Sequence, residues 1–229
     1  MTVDAAQTPS SVYVMYLVLG VRPGELADDV RQSATAEVED LFAELAGKGV
    51  TTRGVYEVSG FRPDADLLVW WIAPHAEDLQ EAYHRLRRTA LGRVSRPTWT
   101  AIGVHREAEF NKAHIPAFLA GEAPKRYLCV YPYNRDHEWY LLDAADRADM
   151  LAEHGRMGRE YPDVLANTVS AFALGDYEFL LAFEADELHR LVDMMRHLRG
   201  ARARRHTALE TPFFTGPRKP VADILADLP

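Results

Sequence analysis

His154 is followed at once by Gly155 and, four positions on, by Gly158, with arginines at 156 and 159 set among them. In a helix, Ala148, Leu151, Gly155 and Gly158 form an inward stripe with this histidine. A histidine on an apolar stripe is most simply a hydrogen-bonded core residue, and Gly158 alone would suit a helix C-terminus. Two glycines ask for more, because each costs roughly 1 kcal/mol relative to Ala inside a helix. What they give in return is a surface stripped of side chains. A broad flat ligand such as a porphyrin needs that surface, and a neutral imidazole suits an axial iron ligand. His154 is therefore the candidate iron ligand, with Arg156 and Arg159 placed to meet carboxylates at the edge of a macrocycle.

A second group is Tyr131-Pro132-Tyr133-Asn134-Arg135. In a strand, Tyr127, Cys129, Tyr131 and Tyr133 share one face, with Pro132 suggesting that pairing stops nearby. A buried tyrosine is usually an amphipathic core residue, but several on one face of a ligand-binding half raise the case for redox or hydrogen-bonding work. Cys129 is a small buried thiol in the plain reading, or a thiolate ligand to iron in the sharper one. His114, in Phe110-Asn111-Lys112-Ala113-His114-Ile115-Pro116, is an ordinary solvated residue unless that segment folds over a pocket mouth.

The elements that must position these groups come in two copies. Val58-Ser59-Gly60-Phe61, the run Asp66–Ala73 and a helix from Ala76 are echoed about 111 residues later by Val169-Ser170-Ala171-Phe172, Asp176–Phe183 and a helix from Ala185. Strands are expected at Val12–Leu19, Thr51–Ser59, Asp66–Ala73 and Pro97–His105, with helices Glu25–Lys48 and His75–Leu91 between them. The second copy offers strands Tyr127–Tyr133, Val164–Ala173, Tyr177–Glu184 and Arg204–Phe213, with helices Asp143–Arg159 and Asp186–Leu198. Each copy reads βαββαβ, the ferredoxin-like unit. Apolar residues fill both alternating sets of most strands, so each sheet is covered on both faces, by helices and by the sister sheet. The fold class is α+β: two ferredoxin-like repeats forming a dimeric α+β barrel in one chain. The divisions are 12–105, a repeat without a cofactor; 106–125, a linker; 126–216, the ligand-binding repeat; and 217–229, a tail. Only the second copy carries the histidine helix, so the chemistry is expected there.

The 229 residues are 48% hydrophobic and 26% charged, ordinary for a globular chain, with a net charge of −8. That charge argues against nucleic acid as a partner, though a local basic cluster can still hold a small anion. Met1 to Ser11 lacks a basic leader and Val12–Leu19 is too short to span a bilayer. The single cysteine excludes an internal disulfide and fits the cytoplasm.

His154–Arg159, Tyr131–Arg135 and the closing Glu210-Thr211-Pro212-Phe213-Phe214-Thr215-Gly216, found in this order on a duplicated background, together resemble the chlorite dismutase-like heme proteins, specifically their coproheme decarboxylases of the actinobacterial type. The likeness runs from about Val12 to Gly216. It implies porphyrin in the second half, His154 as proximal iron ligand, Tyr131 as the residue that becomes a radical, His114 as distal base, and Arg135 at a propionate. Lys112, Arg156, Arg159, Arg204 and Arg205 are further propionate candidates. Relatives that degrade chlorite use a distal arginine on the strand after the proximal helix, yet Glu160 to His189 holds no Arg or Lys; other decarboxylase-type relatives use a glutamine, absent from Val164–Thr168. The implied reaction is peroxide-dependent oxidative decarboxylation of two propionates of iron coproporphyrin III (coproheme) to vinyls, giving heme b. The implied assembly is a cytoplasmic ring of five, with transient contact to a ferrochelatase. The rivals are a porphyrin carrier or sensor, and a peroxidase of the same fold.

Overall fold

The computed structural model describes residues 11–110 and 115–228. In the first half, strands β1 (Tyr13–Val21), β2 (Thr51–Glu57), β3 (Leu67–Ala73) and β4 (Ser95–Val104) carry helices α1 (Asp28–Gly47), α2 (Ala76–Arg88) and the short α3 (Ala90–Val94). The second half holds β5 (Tyr127–Arg135), α4 (Ala144–Gly158), β6 (Leu165–Ser170), β7 (Phe179–Ala185), α5 (Leu188–Leu198), β8 (Thr207–Leu209) and β9 (Phe214–Pro217), and α6 (Val221–Asp227) ends it. All strand pairings are antiparallel, in the order β2-β3-β1-β4-β6-β7-β5-β8, with β9 also on β5. The two halves meet edge to edge where Val104 pairs Ser170. They meet again where Tyr56 bridges Arg218 and Lys219 N donates to Val55 O at 3.1 Å. The sheet is thereby closed into a barrel.

Strand alternation sorts the side chains. Val14, Tyr16 and Val18 of β1, with Leu128 and Val130 of β5, fill the barrel interior beside Trp70, Leu180 and Phe214. The opposite set, Met15, Leu17 and Leu19, lies beneath α1, α2 and α6 in a continuous apolar layer. In the second half the matching outer set is Cys129 and Tyr131, and it meets only a small buried cluster around Phe183, Leu191 and Met194. The first half is packed solid under its helices; the second is left hollow.

Three elements differ from expectation. The helix foreseen over His75–Leu91 breaks at Thr89, where the backbone turns extended and Thr89 Oγ1 accepts from Gly92 N at 3.1 Å to cap α3. The strand foreseen over Arg204–Phe213 is a 3-10 turn (Arg202–His206), the three-residue β8, and β9 resuming only at Phe214. Pro212 has no N–H to offer a ladder there. The tail, given no element in the sequence, forms α6, which buries Val221, Ile224 and Leu225 in the layer over β1.

Candidate active site

The hollow under the second half's helices is a cavity of about 500 Å³, within the usual span of small-molecule sites. Its floor is the outer face of the sheet: Tyr131, Tyr133 and Arg135 from β5, Thr168 and Ser170 from β6, Phe179, Leu181 and Phe183 from β7. The i, i+2 spacing along β5 is what sets 131, 133 and 135 in one row. Its roof is Leu151 and His154 from α4 and Met195 and Leu198 from α5, pairs spaced by three residues and so on one helical face. His105 to Glu109 and Pro116, which flank the undescribed 111–114, line the same cavity. Arg147 of α4 holds that approach through Glu109 at 2.7 Å and lies over the Phe110 ring.

His154 opens onto the cavity. It is exposed to that space, yet partial desolvation there, with the charge of Arg135 added, lowers its pKa below the usual 6.5 while Glu153 opposes. The ring is therefore neutral at pH 7 and has a lone pair to give a metal. Arg135 is fixed against the rings of Trp139 and Tyr133, 4.0 and 4.9 Å from their centres, and donates to Ala203 O at 3.1 Å.

Tyr131 faces it from the floor. It is 4% exposed, stacks on Phe213 with centroids 4.3 Å apart, and among the described residues its hydroxyl donates to the sulfur of Met195 at 3.6 Å. Burial holds its pKa well above the ordinary phenol value; Cys129 and Glu210 add to the rise and Arg199 opposes it. The phenol keeps its hydrogen at any physiological pH. Cys129, 7% exposed, has its thiol pushed up to about 11 by burial. Cys129 does not line the cavity, so the structure gives the thiolate-ligand reading no support.

The expected arginine set is corrected. Arg156 and Arg159 are exposed and neither lines the cavity. At about 100° per residue they lie roughly 200° and 140° around the helix from His154, so the face that presents the imidazole cannot present them. The Asp149 and Glu153 carboxyls are held below their usual pKa mainly by their bonds to Arg202, and the charge of Arg156 adds to this. Gly155 and Gly158 are likewise off the cavity wall: a methyl at 155 would meet Arg159 Nη1 at 3.7 Å, one at 158 would meet nothing within 4 Å, and α4 ends at Gly158. Arg205 is exposed, whereas Arg204 does line the cavity. Arg106 and Arg199 line it too and were not singled out in the sequence. Arg199 was findable, since it follows Met195 and Leu198 on the cavity-facing side of α5. Glu210, inside the closing motif but given no role, sits between Arg199 and Arg204. Lys112 and His114 lie outside the described residues.

The sequence model of the family described as chlorite dismutase matches residues 31–219. The chain belongs to the chlorite dismutase family. Among curated members of that family, a coproheme decarboxylase of Mycolicibacterium smegmatis is 56% identical over 218 residues, covering 95% of this chain and 94% of the relative. A coproheme decarboxylase of Thermus thermophilus is 27% identical over 203 residues, 82% and 81% of the two chains. Among solved structures, a mutant chlorite dismutase from Candidatus Nitrospira defluvii superposes with a TM-score of 0.84 at 23% identity, covering 94% of each chain. The chlorite dismutase of the same organism in complex with imidazole superposes at 0.82. These likenesses establish the ferredoxin-like chlorite dismutase fold.

Proposed function

We propose that this chain is a coproheme decarboxylase, converting two propionates of iron coproporphyrin III to the vinyls of heme b with hydrogen peroxide as oxidant. One observation carries the reading: a neutral imidazole and a buried, protonated phenol face one cavity whose edge holds Arg135, Arg199 and Arg204, in a chain of net charge −8. Its 56% identity to a coproheme decarboxylase supports the substrate. A porphyrin carrier would have no use for a tyrosine kept protonated beside the carboxylate-binding edge.

In each round one propionate loses its carboxyl as carbon dioxide and one hydrogen from the β-carbon. The two electrons released, with protons, reduce one peroxide to two waters. The iron porphyrin supplies the oxidising power when bound. His154 would hold the iron from α4. Tyr131 gives up its phenolic hydrogen and electron, then takes a hydrogen atom from the propionate β-carbon; stacking on Phe213 fixes the ring while this happens. The arginines orient the carboxylate through directed donors. His114 would take the peroxide proton; what supports this is that Glu109 and Pro116, either side of it in sequence, line the cavity, and that β6 lines it with Thr168 and Ser170 rather than a cation. Among the described residues no helix is long and apolar enough to cross a membrane. Assembly as a ring of five, a cytoplasmic setting and transient contact with a ferrochelatase belong to the same proposal.

The test adds iron coproporphyrin III and then peroxide to the purified chain, and to His114→Ala. The full chain should yield heme b. The variant should bind the porphyrin normally and turn over on the order of 10²-fold more slowly, with the smallest deficit at high pH, where peroxide is already partly deprotonated. Bleaching without vinyl products would favour the peroxidase or carrier.

A further inference from the structure

Glu210 is an anion in a place that, on the reading above, exists to receive anions. Arg199 holds it with two parallel bonds, Nη1 to Oε2 at 2.7 Å and Nη2 to Oε1 at 2.5 Å, and Arg204 Nη1 reaches Oε2 at 2.5 Å. All three residues line the cavity. The glutamate side chain is only 14% exposed, while the arginines are 40% and 37% exposed and so remain accessible to a ligand. Tyr131 feels both charges, Glu210 and Arg199, with opposite sign, and Phe213, three residues after Glu210, is the ring stacked on it.

Two cations and one anion leave a net charge of +1, which matches one propionate carboxylate. A guanidinium offers five N–H donors; Glu210 uses two of Arg199's and one of Arg204's, so both can still accept a ligand. We propose that Glu210 is an internal competitor for the propionate beside Tyr131: it occupies Arg199 and Arg204 in the absence of substrate, yields part of their donors to the incoming carboxylate, and takes them back once that carboxylate has left as carbon dioxide. It thereby sets how strongly the site prefers the acid substrate over the neutral vinyl product. A clamp of two unopposed arginines would bind the substrate carboxylate more tightly and would leave two buried-edge cations unpaired whenever product was bound. With Glu210 present, the substrate-bound cluster is neutral and the product-bound one carries one unit of positive charge rather than two. This inference rests on the decarboxylase reading, because the preference it describes is between that reaction's substrate and product.

The test is a pair of equilibrium titrations without peroxide, using iron coproporphyrin III and heme b, on the full chain and on Glu210→Gln. The quantity is the ratio of the two dissociation constants. Removing one unit charge at ion-pair range should shift that ratio at least tenfold toward coproporphyrin. Should Glu210→Gln fold poorly by circular dichroism, Arg199→Gln serves instead and should move the ratio the other way. A glutamate that merely braces the fold would weaken both porphyrins alike, so a ratio within threefold of the unaltered chain overturns the inference. If that ratio shifts as stated but peroxide releases no carbon dioxide, the decarboxylase reading fails while the competing-carboxylate role stands. If the unaltered chain binds neither porphyrin, both fall.

Discussion

Tyr131 and Cys129 are neighbours on one strand face, both buried and both kept protonated, and only Tyr131 lines the cavity. Tyr131→Phe keeps the ring on Phe213 and removes only the hydroxyl, whose partner among the described residues is the Met195 sulfur. Porphyrin uptake should be unchanged and carbon dioxide release should fall to background; near-normal release from this variant would refute the radical role. Cys129 makes a prediction about pH. Its thiol moves from an ordinary 9.0 to about 11 in the fold. An unfolded chain therefore loses this proton near pH 9 and the native chain does not, so the site's contribution to stability falls as pH rises between those values. A Cys129→Ala comparison in urea titrations at pH 8 and pH 10.5 should show the native chain losing more stability than the variant over that interval. At this scale the sequence was informative where one residue type had one use. Tyr131, His154 and Arg135 all line the cavity, Tyr131 and Arg135 because strand alternation sets them in one row. Arg156 and Arg159 do not, because a charge beside a site residue in sequence lies on another face of a helix in space.

At the scale of elements, α4 shows where the physical reading of glycine went astray. Two costly glycines near a histidine suggested a surface cleared for a ring, but the cavity meets the middle of the helix at Leu151 and His154, while Gly158 is its final residue. Gly155→Ala should therefore stabilise the porphyrin-free chain by up to about 1 kcal/mol, since the added methyl meets Arg159 Nη1 only at ordinary contact distance. Thermal unfolding and porphyrin titration check this together: a higher midpoint with unchanged affinity is expected, and a large loss of affinity would restore the cleared-surface account. The βαββαβ order was legible from periodicity alone. The split of the last strand was less so, because β8 and β9 are short and their pairing with β5 depends on chain far away. Helix α6 was missed for the same reason, as its seven residues bury against a layer built by the first half.

Across the whole molecule, the two halves are tied by an ion pair in the barrel wall. Glu184 of β7 is fully buried and accepts from Arg53 of β2 at 2.9 and 2.8 Å, from Asn167 at 3.0 Å and from Lys125 N at 3.1 Å. Removing one member strands the other, so Glu184→Leu should cost about 3–5 kcal/mol in urea unfolding, and adding Arg53→Met should recover much of it. No sequence pattern announced this pair, whose members are 131 residues apart. What the sequence did carry at this scale was the asymmetry: the duplicated halves share a plan, and only the one with the histidine helix keeps a hollow beneath its helices. Sedimentation should give particles of five times the 25.8 kDa chain mass; a monomer would refute the ring. The central claim is that this hollow turns propionates into vinyls, and product mass reads it directly. After iron coproporphyrin III is bound and peroxide is added, the porphyrin should lose two carboxyl groups as carbon dioxide, with two hydrogens, and end as heme b. A porphyrin recovered with all four carboxylates, or destroyed without a vinyl product, would contradict the account.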